Sequence, residues 1–116
     1  MLRWPATVRI FVCLVAVDMR RSFDGLAALT EQVIRQDPLS GHLFVFRGRR
    51  GDRLKILYWD RDGYALWYKR LEAGLFRFPT DERDAKEISP AELGLILEGL
   101  ELSSAKRQKR FALLPR

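Results

Sequence analysis

The sequence contains few of the residues that catalytic and metal sites use. Cys13 is the only cysteine and His42 the only histidine among 116 residues. Zinc sites need several such ligands at set spacings, so a zinc site is excluded. A catalytic histidine works with a nucleophile and an orienting carboxylate, and Ser40, close to His42, lies in no nucleophile-elbow pattern. We therefore expect Cys13 to be a small buried side chain and His42 to have a structural or incidental role.

A long apolar run is also missing. The longest, IFVCLVAV at residues 10–17, has eight residues, whereas a membrane-spanning helix needs about 20. Charged residues follow this run at once and no small-residue cleavage site appears, so a signal peptide is not indicated. We expect a cytoplasmic protein that does not associate with a membrane, and a single cysteine is compatible with that reducing compartment.

Phosphate-binding and metal-binding motifs are missing as well. No GxGxxG or GxxxxGK[ST] pattern occurs, so we expect no nucleotide or other cofactor. Asp52, Asp60 and Asp62 could in principle hold magnesium, as in a nuclease. All three lie in or beside glycine-containing turns, where aspartate is common. The favoured interpretation is that they are turn residues and that the protein is not an enzyme.

What the sequence does contain is a regular succession of strands and helices. Residues 8–17 are apolar apart from Arg9 near the start, as in a strand that is covered on both faces, and residues 23–36 show helical spacing. A capping box formed by Ser89 and Glu92 begins a second helix. Four further strands, separated by tight turns, are predicted at residues 43–47, 54–59, 64–71 and 75–78.

These elements predict a single α+β domain over residues 1–102, followed by a basic, flexible tail at 103–116. The element order is β-α-β-β-β-β-α, with two helices and about five strands. The sheet is mostly antiparallel, because short turns force neighbouring strands to be antiparallel. Both faces of the strands carry apolar residues, so a face that two helices leave uncovered would favour a homodimer or a partner protein.

Positive charge is concentrated in two parts of the chain. The net charge is +6; residues 37–80 carry nine basic and five acidic groups, and residues 103–116 carry five basic and no acidic groups. Such an asymmetry favours a polyanion or an acidic protein as partner. Cations neutralise phosphates, and the aromatic residues interleaved with them can stack on bases. The candidate nucleic-acid-binding residues are Arg47, Arg49, Arg50, Arg53, Lys55, Lys69 and Arg70.

A second interpretation of these residues stays open. The aromatic side chains can belong to the core, because strand alternation gives both faces large apolar groups. The arginines can then simply solubilise a protruding hairpin and protect a sheet edge.

Several short motifs follow one another in an order that resembles a known bacterial family. They begin with Asp18-Met19-Arg20, are densest in SGHLFVFRGRR at residues 40–50, and end at Pro79. The chain resembles the small accessory protein, often labelled TnpB, of insertion sequences of the IS-sixty-six type; it does not resemble the RNA-guided nucleases that share the label. The resemblance implies a bacterial, cytoplasmic protein that assists a separate, larger transposase carrying the catalytic carboxylates. It supplies no catalytic residues.

Two functions follow. The favoured one is a non-enzymatic accessory factor in DNA transposition that binds DNA, at the ends of the element, through the basic hairpin. The alternative is a protein-interaction module that docks on the companion transposase without contacting DNA. Its docking surface would be an apolar sheet face or the acidic last helix with Glu92, Glu98 and Glu101.

Overall fold

The computed structural model describes residues 7–99, in which one sheet is packed between helices on its two faces. The strands are β1 Ile10–Val17, β2 Leu43–Gly48, β3 Arg53–Asp60, β4 Gly63–Arg70 and β5 Ala85–Ile88. The helices are α1 Phe23–Leu29, which continues as a π-helical turn Thr30–Ile34, and α2 Pro90–Glu98. Within the described residues this order confirms the predicted α+β fold. The predicted tail at 103–116 lies outside them.

The strand order across the sheet is β4-β3-β2-β1-β5. β1 and β2 are parallel neighbours, and the remaining three pairs are antiparallel. The sheet is therefore mostly antiparallel, as predicted. The parallel pair needs a crossover connection, which α1 provides. The order of this β1-α1-β2 unit was predicted but its parallel pairing was not, and the pairing matters because parallel strands end on the same side of a sheet.

Apolar residues on both faces of the central strands form the core. On one face Val12, Val45 and Ile56 pack against α2. On the other face Phe44 and Leu57 pack against α1 and its extension. The prediction that β1 is covered on both sides is confirmed. Within residues 7–99 the central strands have no open apolar face of the kind that the sequence suggested for a dimer.

One predicted strand is wrong in position. Residues 75–78 form an irregular segment, and the fifth strand is β5 instead. The connection after β4 has to cross from one edge strand of the sheet to the other edge, because β5 pairs with β1. Phe76, at 4% exposure, fills the core on the α2 face during this crossing. β5 has no apolar alternation that would reveal it, and only Ile88 is buried.

The two helices differ in how well their sequences define them. Ser89 and Glu92 form the predicted capping box: Glu92 N donates to Ser89 Oγ at 3.1 Å and Ser89 N donates to Glu92 Oε1 at 2.9 Å. Ser22 precedes α1 but makes no side-chain capping bond. The first helix ends close to its predicted boundary, at Arg35, which has a left-handed φ of 64°.

Candidate nucleic-acid interface

Three connections meet where β1 and β2 end. Residues 18–21 follow β1, residues 48–52 form the turn after β2, and residues 71–84 follow β4, which runs in the same direction as β2. We call these three connections the basic end of the sheet. Open sheets with parallel strands commonly bind ligands just beyond the carboxyl ends of those strands.

The turn after β2 is built for close contact with the loop after β1. Gly48 is buried, and a Cβ at this position would lie 2.8 Å from Cγ of Met19. Gly51 has a left-handed φ of 81°, which favours glycine. The carbonyl of Gly51 accepts from Phe76 N at 2.8 Å, and that of Asp52 accepts from Leu71 N at 2.8 Å. The turn is therefore held between the Met19 side chain and the connection after β4.

Lys55 ties the loop after β1 to the hairpin. Its side chain is only 6% exposed. Its Nζ donates to the carbonyls of Met19 and Arg21, both at 2.7 Å, and lies 4.6 Å from the centre of the Tyr68 ring. The buried ammonium thus has two acceptors and an aromatic face. Lys55 was predicted as a nucleic-acid contact, but its burial and its two carbonyl acceptors give it a structural role instead.

Asp18 and Arg20 neutralise each other in the same loop. The Arg20 guanidinium donates to both carboxylate oxygens of Asp18, and its Nη2 lies 2.7 Å from Oδ2. The Arg20 backbone N–H donates to Oδ1 of Asp18 at 2.9 Å. These bonds hold the pKa of Asp18 well below its usual value and raise the pKa of Arg20. Asp81 and Arg83 repeat this geometry on the connection after β4.

Arg49 and Arg50 project from the turn between two clefts. Both side chains are exposed, and no carboxylate in residues 7–99 forms an ion pair with either. The first cleft, of about 340 Å³, lies towards Met19 and Arg20. The second, of about 610 Å³, lies towards Arg77. The two unpaired cations are thus flanked by space that a polyanion can enter.

Two other predicted residues form the walls of these clefts. Arg47 is half-buried, with Nε donating to the Leu14 carbonyl at 3.2 Å and its guanidinium 5.8 Å from the centre of the Phe78 ring. Arg53 is half-buried too, and its Nη1 donates to the Tyr68 hydroxyl at 3.3 Å. The Nε of Arg53 is buried and has no hydrogen-bond partner within the described residues.

Lys69 and Arg70 lie at the end of β4, opposite Leu54 and Arg53 in the sheet register. Both are exposed. They point to opposite faces because neighbouring strand residues alternate. Arg70 donates to Glu72 Oε1 at 2.9 Å. The structure therefore gathers Arg47, Arg49, Arg50 and Arg53 at one turn and places Lys69 and Arg70 beside it.

Two cations of the basic end, Arg20 and Arg77, were not among the candidate residues, although Arg77 was recognised as part of the basic region. Arg20 lines the first cleft and Arg77 the second. Arg20 lies three residues after the end of β1, and that position would have been informative had the parallel pairing of β1 with β2 been recognised. Arg77 was assigned to a strand that does not form, so no pattern indicated where it lies.

The other groups considered for catalysis lie far from this region or from one another. His42 precedes β2 at the opposite end of the sheet, where its Nδ1 accepts from the Arg9 backbone N–H at 2.9 Å. Asp52 precedes β3, whereas Asp60 ends it and Asp62 follows. A strand of this length spans about 25 Å, so the three carboxylates cannot share one metal ion. Within the described residues, no cluster of three possible metal ligands occurs.

Comparison with known proteins shows one matching family and two similar proteins from one organism. The family described as "IS66 Orf2 like protein" matches residues 8–107. The uncharacterized protein y4jC of Sinorhizobium fredii is 43% identical over 101 residues, which cover 87% of this chain and 86% of that protein. The uncharacterized protein y4hO of the same organism is 43% identical over 94 residues, covering 81% and 82%. No solved structure gives a significant match.

The matched region contains the whole basic end. Neither helix in residues 7–99 is long and apolar enough to cross a membrane. The family is not a known class of enzyme. The chain belongs to the IS66 Orf2-like family, whose members take part in the transposition of insertion sequences.

Proposed function

We propose that the protein is a non-enzymatic, cytoplasmic accessory factor of transposition that binds DNA through its basic end. The observation that carries the proposal is the position of Arg49 and Arg50. They are exposed, unpaired by any carboxylate of the described residues, and lie between two clefts that Arg20, Arg47 and Arg53 help to line. Arginine recognises phosphate through several donors at once, which suits such an arrangement.

The shape of the region supports a duplex as the ligand. Most protein–DNA hydrogen bonds go to the phosphate and sugar backbone, which a duplex presents on its outer surface. The β2–β3 hairpin lies between β4 and β1 in the sheet, so its turn and not a free ribbon would meet the duplex. This turn is rigid because Gly51 and Asp52 are bonded to the connection after β4. A rigid turn loses little conformational entropy on binding. The arginines at the tip would meet phosphates and base edges first.

The test is a salt titration of binding to two duplexes of equal length, one with the terminal repeat of the element and one with that sequence scrambled. We expect Arg49→Gln with Arg50→Gln to weaken binding and to reduce the salt slope by about two, because each lost phosphate contact removes about 0.9 from it. The matched control is Arg35→Gln with Arg61→Gln, two exposed arginines away from the basic end. Equal effects of the two double variants would refute the proposed contact.

A protein-interaction module on the transposase remains the second candidate. Leu95, 52% exposed on α2, and the exposed Glu98 are the described features that favour it. Glu92 is occupied by the capping box, and Glu101 lies outside the described residues. Co-expression with the transposase and size-exclusion chromatography tests this candidate. Separate elution in the absence of DNA would count against it.

A further inference from the structure

The outer edge of β4 is used neither by the fold nor by the proposed DNA contact. β4 is the outermost strand of the sheet and has eight residues. Among residues 7–99, no strand pairs with its outer side. A long edge strand with unpaired backbone groups is a template for another chain. Tyr68 on this strand is 47% exposed, and tyrosine is enriched in protein interfaces, whereas Tyr64 and Trp67 pack against the core.

The register of the β3–β4 hairpin shows which backbone groups are available. Asp60 and Gly63 are paired across the two-residue turn, and residues that flank such a turn exchange both hydrogen bonds. Alternation then directs every second residue of β4 towards β3. The residues whose N–H and C=O groups face outward are Tyr64, Leu66, Tyr68 and Arg70.

We propose that this edge pairs with β4 of a second copy of the chain, antiparallel, around a two-fold axis at Leu66. This register keeps the outward-facing groups opposite one another. It places Tyr64 opposite the partner's Tyr68, and it brings Asp62, in the turn just before β4, near the partner's Arg70. Each of these pairs occurs twice because the axis repeats it.

Charge favours this register over the one with the axis at Trp67. With the axis at Leu66, the turn residue Asp62 lies near the partner's Arg70 and gains a cation. With the axis at Trp67, Asp62 would lie near the partner's Glu72 instead, and like charges are destabilising. Arg70 now bonds to Glu72 at 2.9 Å, but both side chains are more than half exposed, so exchanging that partner costs little.

The dimer would give the protein a second property. The two-fold axis places the two basic ends at opposite ends of one continuous sheet, because β4 and its partner strand run in opposite directions. If DNA binding is as proposed above, one dimer carries two separate DNA-binding surfaces. The dimer itself does not depend on that function, and it is measured without DNA.

The test is sedimentation velocity of the full chain and of charge variants. Arg70→Asp and Asp62→Arg each place like charges opposite one another at both symmetric positions. We expect each to raise the dimer dissociation constant about tenfold or more. The double variant Asp62→Arg with Arg70→Asp restores opposite charges and dimer formation. Arg35→Asp, an exposed charge reversal at the end of the first helix, is the control and leaves the dimer unchanged.

Recovery in the double variant cannot come from misfolding, and circular dichroism of all variants checks this independently. A wild-type chain that stays monomeric up to about 100 μM, a weak affinity by any standard, would overturn the proposal. A dimer that the single reversals leave unchanged would overturn β4 as its interface. Single reversals without recovery in the double variant would overturn the register.

Discussion

Replacing Lys55 by methionine is expected to lower the free energy of unfolding by about 2 kcal/mol and to weaken DNA binding without changing its salt dependence. Methionine keeps an unbranched chain of similar length inside the fold, where Lys55 is 6% exposed. It removes the charge and both donors that reach the carbonyls of Met19 and Arg21. The change therefore detaches the loop after β1 from the hairpin.

The magnitude follows from the contacts that are lost. A hydrogen bond from a charged donor contributes about 1.5–3 kcal/mol, so two such bonds set an upper bound of about 6 kcal/mol. Water can reach the freed carbonyls, because Met19 is only half-buried and Arg21 is exposed. The apolar methionine also avoids the cost of burying a cation. We therefore expect about 2 kcal/mol, which is a large part of the usual 5–15 kcal/mol of a small domain.

Denaturant unfolding followed by tryptophan fluorescence measures this change, since Trp59 and Trp67 lie on β3 and β4. Lys69→Met is the matched control: Lys69 lies on the adjacent strand but is exposed, so its replacement should change stability by less than about 0.5 kcal/mol. Binding is then measured well below the unfolding midpoint. Equal stability of the two variants, or a reduced salt slope for Lys55→Met, would refute the structural role of Lys55.

Two glycine substitutions test the packing around the basic end and α2. Gly48→Ala should destabilise the protein by about 1–2 kcal/mol, because its Cβ would lie 2.8 Å from the Met19 side chain. Thermal unfolding measures this change. Gly63→Ala is the control, since no atom lies within 4 Å of its Cβ. Gly94→Ala should stabilise it by up to about 1 kcal/mol, since this helical position is exposed and open; a lower melting temperature would contradict the packing of α2.

The elements that depend only on neighbouring residues were predicted from local signals in the sequence. The capping box of α2 and the aspartate-glycine turn before β4 are formed by neighbouring residues, and both were predicted at the right positions. The burial of β1 on two faces was readable from its continuous apolar run.

Features that depend on distant residues could not be predicted in this way. The acceptors of Lys55 are backbone carbonyls more than 30 residues away. Every residue has such a carbonyl, so no residue type indicates which of them accept. β5 is held by its pairing with β1 and not by a pattern of its own. The parallel pairing of β1 with β2 is likewise a property of the whole sheet. Without it, Arg20 could not be placed beside Arg49 and Arg50.

Arg70 links the two proposals and separates them experimentally. It was predicted as a nucleic-acid contact, yet the β4 dimer would engage it with the partner's Asp62. If both proposals hold, Arg70→Asp changes the oligomeric state and leaves the salt slope of each DNA-binding surface nearly intact. Arg49→Gln with Arg50→Gln does the reverse, because these residues lie at the turn after β2 and not on β4. A single surface serving both functions would instead make the two properties change together in both variants.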